Sequence, residues 1–231
     1  MESVRAQAVA DNVAWCDLVC RSLGVGTSRS DAMWWCTDDA PPLYPDIITA
    51  TPDVPLEQLL SLLEERPRCS VKDSFAALDL SGEGFEVLFD ATWITRPAGV
   101  PEGDDPSWKA LSDEADLTAW EAAWLTAGGA AGSMSPLLLL DEPVVFLAEV
   151  VDERVIAGAI AHRGAGAEAR AHAADVDPVR AHHHEHQELA LVEIGRVDDN
   201  VVEVLAGNRL MVGDDDVAGL DRLVHQQHEA A

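Results

Sequence analysis

The stretch "GFEVLFDATWIT", residues 84–95, decides the fold class of this 231-residue chain. Its residues alternate between a more apolar set and a more mixed set, with the period of two that a β-strand imposes on its side chains. We therefore predict a long strand that lays its more apolar face on a core. The residues of that face are Phe85, Val87, Phe89, Ala91 and Trp93.

A helix is predicted upstream of this strand. Asp53 stands where a capping side chain is expected, Pro55 suits the first turn, and Pro67 marks the end. Apolar residues between them recur at helical spacing, which is typical of a half-buried helix. These residues are Leu56, Leu59, Leu60 and Leu63.

A second helix and a hairpin are predicted downstream. Ser112 opens the helix, Gly128 ends it, and one face carries Leu117, Trp120 and Trp124. The runs "VVFLAEV" and "RVIAGAIA" then form two strands joined tightly around Asp152 and Glu153. Strands and helices in this order predict a mixed α/β sheet, with the loops 97–106 and 128–136 as candidate joints.

The charge of the chain limits its partners. Forty-two acidic residues against fifteen basic ones give a formal net charge of −27. Such a surface repels nucleic-acid phosphates and anionic lipid headgroups, so we expect no direct nucleic-acid partner and no membrane partner. The amino terminus lacks the apolar core of a signal peptide, and no stretch has the length of a membrane span. These features predict a cytoplasmic protein that meets a small-molecule ligand or a protein partner.

Residue types are divided unevenly along the chain. Every Phe, Trp and Tyr lies at or before Phe146, every cysteine lies at or before Cys69, and all eight histidines lie at or after His162. We therefore predict an α/β region over residues 1–162 and an atypical acidic, histidine-biased region over residues 163–231. A shift of the reading frame near residue 163 in a high-GC gene is an alternative explanation for the composition of residues 163–231.

Two clusters invite a metal-site interpretation. Cys16 and Cys20 stand four apart on a predicted helix, where they serve either as ligands or as small buried apolar residues. The stretch "RAHHHEHQELA", residues 180–190, places His182 and His186 at the same spacing. A metal site needs ligands fixed by further partners, and the pattern is not His-Glu-x-x-His, so we predict no physiological metal site.

Five long phrases carry a family resemblance. They are "AVADNVAWCDLVCRSLG", "LYPDIITATPD", "CSVKDSFAALDLSGEGFEVLFDATWITRP", "WKALSDEADLTAWEAAW" and "VVFLAEVVDERVIAGAIAHR". Over residues 8–163 the chain resembles acetyltransferase-like proteins of the GNAT superfamily found in high-GC bacteria. The resemblance implies an α+β fold with a mostly antiparallel central sheet flanked by helices. It also implies acetyl-CoA bound where two strands splay apart.

The family holds the cofactor pyrophosphate with an Arg/Gln-x-x-Gly-x-Gly/Ala loop, in which small residues let backbone amides close on the phosphates. "RSLGVG", with Arg21, Gly24 and Gly26, has this spacing, but it follows a predicted helix, and Gly24 suits the end of that helix.

"RGAGAEARA" directly follows the apolar run "VIAGAIA" and is the better placed candidate. We predict that Arg163, Gly164 and Gly166 bind the cofactor phosphates, with an ordinary loop as the alternative.

Two functions remain open at this stage. The resemblance implies an N-acetyltransferase that moves an acetyl group from acetyl-CoA to a small-molecule or protein amine. The alternative is a non-catalytic GNAT-like protein that senses a ligand or regulates through a partner. The sequence leaves open whether the chain is an enzyme, and it identifies no catalytic base.

Overall fold

The computed structural model describes residues 4–66, 68–94, 108–126, 129–140, 144–162 and 204–213. The helices of this part are α1 (Val4–Ser22), α2 (Leu56–Glu65) and α3 (Glu114–Thr126). Its strands are β1 (Thr27–Arg29), β2 (Met33–Cys36), β3 (Ile47–Thr49), β4 (Ser70–Asp73), β5 (Phe85–Ile94), β6 (Trp108–Ala110), β7 (Val144–Val151), β8 (Arg154–His162) and β9 (Val204–Gly213). Short 3₁₀ turns cover Ser81–Glu83 and Pro136–Leu140.

The strands form two sheets. The larger sheet has the order β1-β2-β3-β4-β9-β5, and the smaller one has the order β6-β7-β8. Every pairing is antiparallel except that of β3 with β4. The prediction of a mixed α+β fold with mostly antiparallel strand pairing is therefore confirmed. Strand β9 follows the predicted boundary at residue 163, yet it lies between β4 and β5.

A first apolar cluster connects the two sheets. It brings residues of α1, including Trp15 and Cys20, together with Trp34 of β2, Trp120 of α3 and Phe146 of β7. The Trp120 and Phe146 rings meet edge to face with their centroids 5.6 Å apart, a favourable arrangement for aromatic rings. Because this cluster joins strands of both sheets, α1 packs within a core that the two sheets share.

A second apolar cluster covers the opposite face of the larger sheet. Met33 and Ile47 belong to it, whereas their neighbours Trp34 and Ile48 belong to the first cluster. This division follows from the alternation of side chains along a strand. Helix α2 adds Leu59 to the second cluster.

Strand β5 has the predicted extent, but its apolar face was assigned wrongly. Val87 is 49% exposed and Phe89 is 51% exposed. The strand lies at the edge of the sheet, and its register with β9 shifts between these two residues. A β-bulge turns the side chains that follow it, so the alternation of the sequence does not lead to one continuous buried face. Of the predicted face, Phe85 packs against the second cluster.

Helix α2 starts later than its predicted cap. Pro55 is the N-cap, no side chain caps the helix, and Asp53 lies before it. Leu59 and Leu63 are buried as the helical spacing predicts, while Leu56 is 51% exposed. A proline at this place sets the backbone angle without a side-chain bond, so the predicted cap at Asp53 is wrong.

Helix α3 is capped by Asp113, one residue after the predicted Ser112. The Asp113 carboxylate accepts a hydrogen bond of 2.9 Å from the Asp116 amide, as an N-cap side chain does. Leu117 and Trp120 are buried on the predicted face. The predicted end at Gly128 lies outside the described residues.

The predicted hairpin of β7 and β8 is confirmed. The two strands pair over their whole length, and Asp152 and Glu153 connect them. Both connecting residues have positive φ angles, 49° and 62°, which is the geometry of a type I′ turn. No helix in the described part of the chain combines the length and the apolar character that crossing a membrane requires.

Candidate functional site

The predicted phosphate-binding residues cannot be placed against the fold. Arg163, Gly164 and Gly166 come directly after His162, the last residue of β8, and lie outside the described residues. The histidine stretch 180–190 and the candidate joint 97–106 also lie outside them. The assignment of these residues stays a prediction.

The other glycine loop ends a helix, as predicted. Gly24 has a φ of 80°, and the Val25 amide donates to the Cys20 carbonyl across the end of α1. The Gly26 amide donates a 3.1 Å hydrogen bond to the Asp38 carboxylate. A carboxylate therefore holds the amide that a phosphate would need, and its negative charge repels a phosphate. The loop at Arg21 does not fit a cofactor pyrophosphate.

Helix α1 buries polar side chains in its first half. Asp11 is 8% exposed and Asn12 is 7% exposed, although this side of the helix faces the core. Buried polar groups are costly unless they are hydrogen-bonded, so their presence indicates specific partners. Trp15 follows one turn later, at 2% exposure.

Lys72 provides one of these partners from β4. Its Nζ donates a hydrogen bond of 2.7 Å to Asn12 Oδ1. The same ammonium lies over the Trp93 ring, 4.8 Å from the ring centroid, within range of a cation–π interaction. The amide oxygen and the aromatic face together stabilise a positive charge on the α1 side of the larger sheet.

His162 approaches the same helix from the smaller sheet. It is 8% exposed, and its ring centroid lies 5.7 Å from that of Trp15 at an interplanar angle of 52°. Helix α1 thus contacts a lysine of one sheet and a histidine of the other. We define the α1 polar cluster as Asn12, Trp15, Lys72, Trp93 and His162.

A tight turn after β4 supports this cluster. The Asp73 carboxylate accepts hydrogen bonds from the Thr49 hydroxyl at 3.3 Å and from the amides of Phe75 and Leu78 at 3.1 and 2.7 Å. The next residue, Ser74, offers its carbonyl to Trp93 Nε1 at 3.1 Å. Asp73 fixes the conformation of this turn, and the Ser74 carbonyl of the turn fixes the position of the Trp93 ring next to Lys72.

Strands β9 and β5 of the larger sheet carry an exposed ion pair. Arg209 Nε lies 2.8 Å from Asp90 Oδ1, and Asp90 is 64% exposed at its side chain. The hydrogen bond to Asp90 raises the pKa of the Arg209 guanidinium, and the carboxylates of Asp73 and Asp79 add to the effect. The pair is too exposed to shield a reaction from water, and we place no catalytic role there.

The cysteines are buried, which agrees with their interpretation as small apolar residues. Cys16, Cys20 and Cys36 lie in the first cluster and Cys69 lies in the second, all as free thiols. Within the described residues, no group of three or more His, Cys, Asp or Glu side chains comes together as a metal site.

Sequence reasoning did not identify the α1 polar cluster. One usable signal is the stretch "CSVKDS", where Lys72 and Asp73 follow Val71 in a short strand. Lys72 is one of two lysines in the chain, and charged residues in a central strand indicate fixed partners. The contact of His162 with Trp15 has no comparable signal, because 147 positions separate them in the sequence.

Comparisons of the chain with protein-family models, with curated proteins and with solved structures found no match. The cluster brings an ammonium, which attracts anionic groups, and an imidazole to the same helix. Lys72 and His162 reach this helix from the two different sheets.

Proposed function

We propose that the chain is a GNAT-like protein that binds acetyl-CoA on the α1 side of the larger sheet and transfers the acetyl group to a small-molecule or protein amine. The proposal assigns the phosphates of the cofactor to Arg163, Gly164 and Gly166. The resemblance of residues 8–163 to that superfamily supports it, and the fold adds two observations.

The first observation concerns the two sheets. Strands of the larger and the smaller sheet contribute to one apolar cluster without being hydrogen-bonded to each other. The resemblance implies that acetyl-CoA binds where two strands splay apart, and the boundary between the two sheets is where the strand pairing is interrupted. This arrangement is the observation on which the proposal rests.

The second observation concerns the α1 polar cluster. Lys72 reaches α1 from the larger sheet, and His162 reaches it from the last position of β8. His162 is also the residue before Arg163, so a ligand bound by Arg163 would lie close to the cluster. Acyl transfer to an amine requires mainly positioning and the removal of one proton, and an imidazole suits the second task.

One observation favours the non-catalytic alternative. The loop with the family spacing at Arg21 is closed by Asp38, so this loop does not fit the cofactor phosphates. A GNAT-like protein without such a loop would sense a ligand or act through a protein partner.

Calorimetric titration with acetyl-CoA tests the proposal. We expect a dissociation constant in the micromolar range, and an absence of binding at millimolar cofactor removes it. Release of free CoA in the presence of a panel of primary amines then separates the two functions. Binding with turnover supports the transferase, whereas binding without turnover supports the sensing protein.

Matched variants test the assigned residues. Gly164→Val and Arg163→Ala should each weaken acetyl-CoA binding by about tenfold or more, which corresponds to about 1.4 kcal/mol. Gly82→Val and Arg154→Ala serve as controls, because a Cβ at Gly82 meets no atom within 4 Å and Arg154 is exposed at the far end of β8. Equal affinity in test and control variants contradicts the assignment.

A further inference from the structure

Two buried thiols face each other between α1 and β2. The Sγ atoms of Cys20 and Cys36 lie 3.7 Å apart, and both residues are 0% exposed. Cys20 lies in the last turn of α1, and Cys36 is the last residue of β2. A disulfide has a sulfur–sulfur distance of about 2.05 Å, so the two atoms need to approach by about 1.7 Å. Side-chain rotation and a small movement at the end of a helix can supply this approach.

We propose that Cys20 and Cys36 form a reversible disulfide when the protein meets a small peroxide. One cysteine loses its proton, and its thiolate attacks an oxygen of hydrogen peroxide and breaks the O–O bond. This step forms a sulfenic acid and releases hydroxide. The hydroxide combines with the proton that the thiol lost and leaves as water. The sulfenic acid then condenses with the second thiol and releases a second water. Two thiols and one peroxide thus give one disulfide and two waters. This inference does not depend on the proposed function.

The surroundings indicate the order of these steps. The hydrogen bond with Cys20 and the burial of the side chain both raise the pKa of the Cys36 thiol, so Cys36 stays protonated. Cys20 lies in the last turn of α1, which Gly24 terminates. Cys36 is therefore assigned as the thiol that resolves the sulfenic acid, which leaves the first reaction with peroxide to Cys20.

The disulfide would act on the α1 polar cluster through the helix. Asn12 and Trp15 of that cluster belong to α1, and Cys20 lies in the same helix. A covalent link from Cys20 to β2 fixes the helix against the larger sheet and limits its movement. Oxidation would thus stiffen the element that carries the site.

Mass spectrometry of the full chain tests the disulfide. The protein is treated with hydrogen peroxide, alkylated under denaturing conditions and digested. We expect two of the four thiols to escape alkylation, in a cross-linked peptide pair that contains Cys20 and Cys36, and we expect a reducing dithiol to restore them. Four alkylated thiols, sulfinic acid without a cross-link, or a link to Cys16 or Cys69 overturns the proposal.

Thermal unfolding provides a second readout and its control. The oxidised wild type should unfold about 5–10 °C above the reduced protein, because the cross-link restricts the unfolded chain. Cys36→Ala should lose both the cross-link and the shift, while Cys69→Ala, in the second cluster, should keep them. A cross-linked wild type that unfolds at the temperature of the reduced protein contradicts a disulfide that the fold accommodates without strain.

Discussion

Lys72 Nζ and Asn12 Oδ1 form a 2.7 Å hydrogen bond that joins central strand β4 to helix α1. The donor is charged and the bond is partly buried, which places it among the stronger hydrogen bonds of proteins. It connects a strand of the larger sheet with the helix that also contacts His162 of the smaller sheet.

A double-mutant cycle should measure this connection. We expect Lys72→Met and Asn12→Ala to couple by about 1–2 kcal/mol in the free energy of unfolding, because each removes the partner of the other. Denaturant unfolding of the four proteins provides the measurement. The exposed pair Lys109 and Asp116 is the control and should couple by less than about 1 kcal/mol. Additive effects of Lys72→Met and Asn12→Ala would show that the bond contributes little to stability.

Gly129 should resist replacement by alanine. A Cβ at this position would lie 2.6 Å from Cδ2 of the Trp124 ring, and that ring packs against Trp120 at 5.6 Å. An aromatic ring cannot give way at one edge without moving its neighbour, so Gly129→Ala should destabilise the fold by about 1–3 kcal/mol. Gly82→Ala, where nothing lies within 4 Å, should change stability little. Equal midpoints of denaturant unfolding for both variants would contradict the close contact.

Glycine should fit the backbone of the hairpin turn at position 153 better than the natural glutamate does. Glu153 has a φ of 62°, a region that glycine adopts without the steric cost of a side chain. We expect Glu153→Gly to stabilise the protein by about 0.5–1 kcal/mol and to raise its melting temperature by about 1–4 °C. Glu153→Val should do the opposite, since a β-branched residue is poorly tolerated there. A lower melting temperature for the glycine variant than for the wild type would argue against the type I′ turn.

The pKa of Asp79 should rise when the neighbouring Ser81 hydroxyl is removed. The hydroxyl and the amide of Ser81 both donate to its carboxylate, at 2.7 and 3.1 Å, and together they lower the pKa of Asp79 below 3.8. A depressed pKa contributes stability that is present above the unfolded value and is lost as the pH falls through the folded value.

Ser81→Ala should therefore raise the pKa of Asp79, and the stability gap between variant and wild type should close as the pH falls below 3.8. Carboxyl-carbon NMR titration measures the pKa directly. An unchanged midpoint in Ser81→Ala would show that the hydroxyl does not act on this carboxylate.

Several elements of the fold were predictable from the sequence, because each of them depends on local spacing, whereas the short strands β1–β4 and strand β9 were not predicted. The strand at Phe85–Ile94, the helix at Leu56–Glu65 and the hairpin after Val144 follow from periods of two and 3.6 residues. The observed helix caps differ from the predicted ones by one or two residues, since several neighbouring side chains can start a helix.

The buried face of β5 was not predictable in the same way. Val87 and Phe89 have the alternation of a core-facing strand, but their exposure depends on a bulge and on the position of β5 at the sheet edge. Both properties arise from pairing with β9, more than a hundred residues later. Local periodicity contains no information about such a partner.

The site was the least predictable part. Asn12, Lys72 and His162 belong to three distant segments of the sequence. Asn12 is part of α1, and the fold brings Lys72 and His162 into contact with that helix. The cysteine pair shows the same limit, because the sequence suggests Cys16 as the neighbour of Cys20, whereas Cys36 lies 3.7 Å away.

Hydrogen exchange of the full chain with and without acetyl-CoA tests the central claim most directly. If the cofactor binds on the α1 side of the larger sheet, amides around Asn12 in α1 and those leading to His162 in β8 should exchange more slowly at saturation. Helix α2 packs on the opposite face and should keep its exchange rate. Unchanged exchange in α1 and β8 at millimolar acetyl-CoA would contradict the account.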